Sequence, residues 1–236
     1  MAFVDSDDWI APDMYEHLYR RLAEDNSDIA ACGVQMIWED KTPSRTLTRE
    51  GSCVLNQEEA MQAIIEESWL KQPVWYKLYK TALVRDILFP KGKYHEDVFW
   101  SYQAVGRAQR VSVSDHIGYY YLQRGGSIMG AGYSLKRLDA VEAKVQRCTY
   151  IQERFPALSP LAVKDLWLTC IYQGQLAMRT LGKAEAEKIL AYFENVIETH
   201  PFQMEGCSAK ERLWLNMAKS SLVAACHIRN ALKIGL

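Results

Sequence analysis

The chain has 236 residues, of which 49% are hydrophobic and 24% charged, so it is long enough for one large domain or two small ones with packed cores. The formal net charge of −1 at pH 7 excludes a global field that steers the protein to nucleic acid or to an acidic membrane surface. The 7 Trp and 13 Tyr are many for this length and fit either a large core or a cleft that binds sugars or bases. The 6 Cys are scattered and form no Cys-x-x-Cys pair, which predicts buried free thiols in a reducing compartment rather than a zinc site.

Apolar periodicity in the first 130 residues predicts alternating strands and helices. Met14, Leu18 and Leu22 recur every four residues, which is typical of one face of a helix, and Pro12 suits a first helical position. The continuous apolar run at 29–38 is typical of a buried strand in a parallel or mixed sheet. In chain order, the expected elements are the end of a buried strand at 2–4, a helix from Pro12, a strand at 29–38, a polar loop at 40–52, helices at 57–69, 80–86 and 96–108, and two short strands at 111–114 and 117–121.

The pattern changes near residue 133. From about Leu135 onward the apolar residues keep helical spacing and no strand pattern appears. We therefore expect two domains, an α/β part at 1–133 and a helical bundle region at 134–236. No apolar run reaches the length of a membrane span and no signal-peptide pattern opens the chain, which predicts a cytoplasmic protein.

Acidic residues directly follow the first apolar segment, in the stretch FVDSDDWI. Asp5 and Asp7 are separated by one residue, so their carboxylates can converge on one divalent cation at the end of a strand. Carboxylate oxygens suit Mg²⁺ or Mn²⁺, which keep positions open for the oxygens of a diphosphate. An Asp- and Ser-rich turn that leads into a helix explains the same residues, and the motif alone does not separate the two interpretations.

A second acidic pair, Glu96-Asp97, lies at an expected helix start in the stretch FPKGKYHEDVFW. Acidic residues in a first turn stabilise a helix by about 0.3–1 kcal/mol through its dipole, which is sufficient to explain the pair. The functional interpretation is a general base, because a fixed carboxylate beside aromatic residues can accept a proton from a hydroxyl group. The helix dipole is expected to lower the pKa of such a carboxylate.

A third cluster is the stretch YYYLQRGGSIM. On a strand, Tyr119 and Tyr121 would lie on one face and Tyr120 on the other. Arg124 and Ser127 flank a Gly pair that could wrap a phosphate or a sugar hydroxyl. A hairpin end with an exposed Arg is the structural alternative.

In this order, FVDSDDWI, VWYKLYKTALVRDILFPKGKYHEDVFW and YYYLQRGGSIM resemble the second half of bacterial family-2 glycosyltransferases with the GT-A fold. The resemblance covers roughly residues 1–130 and depends on four blocks in the family's order. It implies an α/β fold in which an incomplete GT-A (nucleotide-diphospho-sugar transferase) sheet, lacking its N-terminal nucleotide-binding strands, is followed by an all-helical C-terminal region.

The resemblance also implies a role for each matching residue. Asp7 is implied as a ligand of Mg²⁺ or Mn²⁺, and Asp5 as a second contact with the metal or the nucleotide ribose. Asp97 is implied as the catalytic base that deprotonates the acceptor hydroxyl, with Glu96 positioning it. Other implied residues are Arg124 and Ser127, which close over the diphosphate, and Trp75, Lys77, Phe99 and Trp100, which shape the acceptor side. The implied reaction is an inverting sugar transfer from a nucleotide-diphosphate sugar to a hydroxyl group of a carbohydrate or lipid-linked acceptor, as expected in cell-surface polysaccharide or glycolipid synthesis.

Two features depart from the family pattern. Only four residues precede Asp5, so we expect the nucleotide-binding half to be missing and the chain to be a truncated copy that is inactive alone. Such a sheet would expose apolar surface, which predicts poor stability or a homo-oligomer through the incomplete sheet. Tyr76 stands where a small or amide residue is expected and could narrow the acceptor site.

Two other functions fit parts of the sequence. A haloacid-dehalogenase-type phosphatase also has an Asp-x-Asp motif after a strand, but it would leave the Arg-x-Gly-Ser block unexplained. A non-catalytic, degenerate fragment that acts as an interaction protein is the alternative from another class. The C-terminal stretch at 208–236 intersperses basic and apolar residues, so peripheral contact with the inner face of the plasma membrane is an alternative to packing within the protein.

Overall fold

The computed structural model describes residues 1–40, 42–123, 133–204 and 206–235. Within them the chain forms two compact units: 1–92 with 96–123, and 93–95 with 133–235. The strands are β1 (Trp9–Ile10), β2 (Ile29–Trp38), β3 (Pro43–Thr46), β4 (Cys53–Asn56), β5 (Lys77–Tyr79) and β6 (Arg110–Gln123). The helices are α1 (Met14–Glu24), α2 (Gln57–Glu66), α3 (Thr81–Val84), α4 (Glu96–Arg107), α5 (Leu138–Arg154), α6 (Ser159–Thr180), α7 (Lys183–Thr199), α8 (Ala209–Ser220) and α9 (Leu222–Ala231). This arrangement confirms the predicted α/β class.

The first unit is built on a mixed sheet whose centre is the parallel pair β2 and β6. On the side away from β6, β2 pairs antiparallel with β5 near its start and with β3 near its end. On the side away from β2, β6 pairs antiparallel with β4 near its start and with β1 near its end. The apolar sequence of β2 fits this central position, because most of its side chains are buried on both faces.

A register shift interrupts the central pair at Gly33. Ala31 pairs with Val113, whereas Gly33 pairs with Ile117, so β6 contains extra residues at this point. A Cβ atom on Gly33 would lie 2.6 Å from the backbone oxygen of Asp115. The close approach of two backbones therefore requires glycine here.

We expect Gly33→Ala to lower the free energy of unfolding by about 1–3 kcal/mol, because the backbone at Asp115 must shift to admit the methyl group. Urea denaturation measures the change. Gly182→Ala is the control, since a Cβ atom at Gly182 has no neighbour within 4 Å, and its cost should not exceed about 1 kcal/mol, the usual loss when Ala replaces a preferred residue at a helix N-cap. Equal stability of the two variants would contradict the prediction.

Several predicted elements differ from the structure. The expected strand at 2–4 is only an isolated bridge between Ala2 and Leu78, and Val4 is 45% exposed. The expected polar loop contains β3, because its polar residues pair with the end of β2. The two expected short strands are one continuous strand, β6, since the turn residues Asp115-His116 form the bulge opposite Gly33. The helix expected at 57–69 ends at Glu66, and Glu67 follows in the left-handed conformation.

The second unit has helices α5 to α9 and no strand among its described residues. Arg147 is fully buried and forms an ion pair with Asp165, which also contacts Lys144 at 2.8 Å. Burial opposes ionisation of Asp165, but Lys144 and Arg147 outweigh it and hold the pKa of this carboxyl below its usual value. No helix in the described part of the chain is both long and apolar enough to cross a membrane. All 6 Cys are free and five of them are buried, which confirms the prediction of buried thiols.

Candidate active site

The acidic loop, residues 5–8, is held by the carboxyl end of β6. The Asp8 carboxylate accepts hydrogen bonds from the Tyr119 hydroxyl at 2.8 Å and from the Leu122 backbone N–H at 2.8 Å. The Tyr119 oxygen also accepts from the backbone N–H of Asp5 at 3.2 Å. The acidic loop thus lies at the edge of the sheet where the carboxyl end of a strand offers a ligand site.

An aromatic platform, formed by Trp75, Tyr119 and Tyr121, lies beside the acidic loop. The Trp75 ring stacks on Tyr119 with centroids 4.2 Å apart and on Tyr121 at 5.6 Å. Tyr120 stacks instead on Trp9, at 5.7 Å. This confirms that Tyr119 and Tyr121 share one face of the strand, as their alternation predicted. Burial raises the pKa of Tyr121, and the charges of the acidic loop raise it further.

The two acidic clusters act on one another electrostatically. Burial raises the pKa of Asp5, and the neighbouring charges of Asp8, Asp7 and Glu96 raise it further. Glu96 begins α4, so the structure brings the start of this helix close enough to affect the acidic loop. Carboxylates from two distant parts of the sequence therefore share one electronegative neighbourhood.

Asp97 has an unusual environment for a residue at a helix start. Burial raises its pKa to about 6, and the charge of Glu96 acts in the same direction. The Val98 N–H donates to Asp97 Oδ1 at 2.8 Å, and this bond and the charge of Lys77 only partly offset the rise. The sequence-based expectation of a lowered pKa is wrong, because loss of solvation outweighs the helix dipole.

Lys77 lies in the interior rather than on a cleft wall. Its side chain is 1% exposed, and its amine donates to the backbone oxygens of Lys71 at 2.6 Å and Pro73 at 2.5 Å. Burial lowers its pKa to about 7, against the opposing charge of Asp97. Tyr76 is also fully buried, with its hydroxyl on the backbone of Lys71, so it does not narrow a cleft as expected.

Two other residues expected on the acceptor side are part of the core. Trp100 is 1% exposed, stacks on Phe89 at 5.3 Å, and donates from Nε1 to the Ile87 oxygen at 3.1 Å. Phe99 is buried as well. The acceptor-side role of Lys77, Phe99 and Trp100 stays a prediction, and from these buried positions they can only act through the residues that they support.

The donor set for a metal ion is small. No group of three or more His, Cys, Asp or Glu side chains converges on a metal position within the described ranges. Asp5 and Asp7 supply two carboxylates, and the pKa of Asp5 is raised mainly by burial and further by the charges of Asp8, Asp7 and Glu96. Mg²⁺ is commonly held by one or two carboxylates with substrate phosphates as further ligands, so the residues present fit such an ion. Arg124 and Ser127 lie outside the described residues.

Sequence reasoning missed the roles of Asp8 and Tyr119. Asp8 was visible as the third acid of the cluster, but its contacts depend on the pairing of β1 with β6, in which Ile10 lies opposite Tyr119. No pattern within the acidic loop itself indicates that partner.

The fold is one already seen in a solved structure. The chain matches the crystal structure of Staphylococcus aureus TarS 1–349 with a TM-score of 0.67, at 18% sequence identity, over 98% of this chain and 65% of that one. At this identity the likeness concerns the fold alone.

Curated relatives give the resemblance in sequence. The chain is 28% identical over 131 residues to the uncharacterized glycosyltransferase YibD of Escherichia coli, which covers 52% of this chain and 38% of YibD. It is 27% identical over 172 residues to glycosyltransferase GlyA of Streptococcus pneumoniae, which covers 69% of this chain and 25% of GlyA. No model of a protein family matches the chain. The chain resembles bacterial glycosyltransferases, and it spans less than two fifths of the length of these two relatives.

Proposed function

We propose that the chain is part of an inverting glycosyltransferase of family 2 that transfers a sugar from a nucleotide-diphosphate donor to a hydroxyl acceptor. One observation carries the proposal: the partly buried Asp97, with its pKa raised to about 6, lies next to Glu96, whose charge reaches the acidic loop. A base and an acidic loop suited to a cation are what such a transfer requires. The resemblance to bacterial glycosyltransferases supports the same function.

In the proposed reaction, the acceptor oxygen forms a bond to the anomeric carbon while the bond from that carbon to the diphosphate breaks. Asp97 takes the proton of the acceptor hydroxyl, since a carboxylate with a pKa of about 6 is ionised and still basic near pH 7. Asp7 and Asp5 would hold Mg²⁺ or Mn²⁺, which supplies positive charge for the leaving diphosphate when bound. Asp8 and Tyr119 keep the acidic loop on the end of β6.

The proposal extends to the organisation of the chain. Residues 1–133 would form the catalytic part, and 134–236 a helical region for which packing or peripheral membrane contact is expected. The acceptor would be a carbohydrate or a lipid-linked carbohydrate of cell-surface synthesis, at the inner face of the plasma membrane.

Asp7→Asn tests the proposal. In a protein that includes the nucleotide-binding half, nucleotide diphosphate release from a panel of UDP-, GDP- and dTDP-sugars, with Mn²⁺ or Mg²⁺ and with mixed oligosaccharide acceptors, should fall by about 100-fold, which corresponds to about 3 kcal/mol of barrier. Glu58→Gln, an exposed acid on α2, is the control and should keep full activity. Turnover that is unchanged in Asp7→Asn would contradict the proposed role of the acidic loop.

The same assay separates the two alternatives. Release of inorganic phosphate from phosphomonoesters without a sugar acceptor would indicate a phosphatase. If the chain turns over none of the donors, and both Asp7→Asn and Asp97→Asn leave its cellular function unchanged, a non-catalytic interaction protein is the better description.

A further inference from the structure

The segment that leads into α4, residues 93–95, belongs to the second unit, whereas Glu96 and the proposed base Asp97 belong to the first. We call residues 93–95 the lead segment. Consecutive Cα atoms are a fixed distance of about 3.8 Å apart, so the position of the lead segment limits where α4 can begin. The contacts that hold the lead segment within the helical unit therefore affect the placement of Asp97.

Asp139, in the first turn of α5, holds the lead segment by both of its carboxylate oxygens. Oδ1 accepts a hydrogen bond from the Lys93 amine at 3.0 Å, and Oδ2 accepts one from the backbone N–H of Tyr94 at 2.9 Å. Asp139 is only 9% exposed, so these charge-assisted bonds are shielded from water. An acid that only stabilised the dipole of α5 would need neither contact. Asp139 thus fixes the backbone of the lead segment.

Two further contacts hold side chains of the lead segment. Glu142 accepts a hydrogen bond from the Lys93 amine at 2.6 Å, and the Lys136 amine lies 4.7 Å from the centre of the Tyr94 ring. The Glu142 side chain is 41% exposed, and ion pairs at such positions contribute little to stability. The bond from the Tyr94 N–H to Asp139 therefore matters more, because it acts on the backbone from a nearly buried side chain.

Left-handed backbone marks both ends of the lead segment. Gly92, just before it, has a φ of +76°, and His95, its last residue, has a φ of +57°. Glycine adopts this conformation freely, but for histidine it costs free energy and persists only where the surrounding structure determines it. His95 comes directly before Glu96, so α4 begins at a conformation that needs support from other contacts.

We propose that Asp139 is a positioning residue for the base Asp97: by holding the lead segment, it fixes the start of α4 and keeps Asp97 within reach of the acceptor hydroxyl. The effect on transfer rests on the proposed transferase function, whereas control of the start of α4 does not. A base must lie within hydrogen-bond reach of the proton that it takes, and a displacement of about 1 Å can lower a rate by about 100-fold.

Carbon-13 NMR of the Asp97 carboxyl group tests the structural step on the full chain, with the signal assigned by its absence from Asp97→Asn. Burial raises the pKa of Asp97 to about 6 in the wild type. Asp139→Ala should lower this pKa toward the ordinary value of about 4, because a displaced start of α4 loses part of its burial. Asp139→Leu should have the same effect. It fills the space of the side chain and so separates loss of the hydrogen bonds from loss of packing.

Asp139→Asn is the matched variant, because it removes the charge but keeps an oxygen that can accept from the Tyr94 N–H. The pKa of Asp97 in Asp139→Asn should stay closer to that of the wild type than to that of Asp139→Ala. Glu153→Gln, an exposed acid on the same helix, should behave like the wild type.

Transfer should follow the same order in a protein that includes the nucleotide-binding half. We expect Asp139→Ala to lower kcat by about 10- to 100-fold, while KM for the nucleotide-sugar donor changes by less than about twofold. Asp139→Asn should restore most of kcat. A merely structural role would lower the fraction of folded protein without this division between kcat and KM.

Two outcomes would overturn the proposal. One is an unchanged pKa of Asp97 in folded Asp139→Ala or Asp139→Leu, and the other is an equal effect of Asn and Ala at position 139, which would assign the effect to charge. If the pKa changes as expected but no variant, the wild type included, transfers sugar, Asp139 still controls the start of α4 and the transferase proposal fails. The two failures are therefore seen in different measurements.

Discussion

Asp97→Asn is expected to lower the rate of sugar transfer by about 100- to 10,000-fold, the usual contribution of a general base. The amide keeps the size of the side chain but cannot accept the proton of the acceptor hydroxyl. The fold should persist, because burial disfavours the negative charge that the substitution removes. Donor turnover in the presence of acceptor measures the loss, and an unchanged unfolding midpoint shows that the loss is chemical.

The pH dependence gives a second signature of Asp97. With its pKa raised to about 6, transfer by the wild type should fall as the pH drops through about 6, when the carboxylate becomes protonated. Stability runs in the opposite sense. The folded-state pKa lies above the unfolded value of about 4, so this group's contribution is present below pH 4 and is lost as the pH rises through about 6. Asp97→Asn should lack this loss of stability.

Glu96→Gln is the companion variant for Asp97. The charge of Glu96 raises the pKa of Asp97, so its removal should move the acidic limb of the activity profile to lower pH while transfer continues. Transfer that survives in Asp97→Asn with an unchanged profile would show that another group is the base.

The sequence predicted the elements whose cause is local. The apolar run of β2 and the helical spacing after residue 133 determine their own structure, so both were found. The acidic clusters at 5–8 and 96–97 stand out in the sequence by composition alone, and the roles of Asp7 and Asp97 stay predictions. Their order along the chain carried the family resemblance.

The features that were missed depend on contacts between distant segments. The bulge at Asp115 is visible only once Gly33 lies opposite it, because the turn residues there suggest a chain reversal. The partner of Asp8 is Tyr119, 111 residues away. The pKa of Asp97 depends on how deeply the start of α4 is buried, which the local sequence does not determine. The helix dipole alone predicted a lowered pKa, whereas burial raises it.

The buried residues behind the site connect these contacts to function. The Lys77 amine donates to two backbone oxygens of the segment before β5 and so fixes that segment. Ser101 of α4 donates to the Gln72 oxygen of the same segment at 2.5 Å. The segment between them carries Trp75 to the aromatic platform. A residue in the core can therefore affect the site through both the placement of Trp75 and the charge near Asp97.

Lys77→Met is expected to remove a strong pH dependence of stability. Burial lowers the folded-state pKa of Lys77 to about 7, whereas the unfolded value is about 10.4, so between these values the unfolded chain holds more protons than the folded one. The free energy of unfolding should then rise with pH above 7, by up to about 1.4 kcal/mol per pH unit. The Met side chain has no such proton, so the slope between pH 7 and 9 should disappear in the variant.

Urea denaturation at pH 7, 8 and 9 measures this slope, and Lys91→Met, at an exposed position, is the matched control that should keep it. The Met variant also leaves the Pro73 oxygen without its buried donor, a loss of about 1–3 kcal/mol that should be most evident at pH 9, where the wild type has gained stability. Activity provides an independent check. The charge of Lys77 lowers the pKa of Asp97, so Lys77→Met should move the acidic limb of the transfer profile to higher pH, opposite to the effect of Glu96→Gln. If the free energy of unfolding of Lys77→Met rose with pH as steeply as that of the wild type, the pH dependence would not come from Lys77. Its amine would then serve only as a hydrogen-bond donor to the backbone.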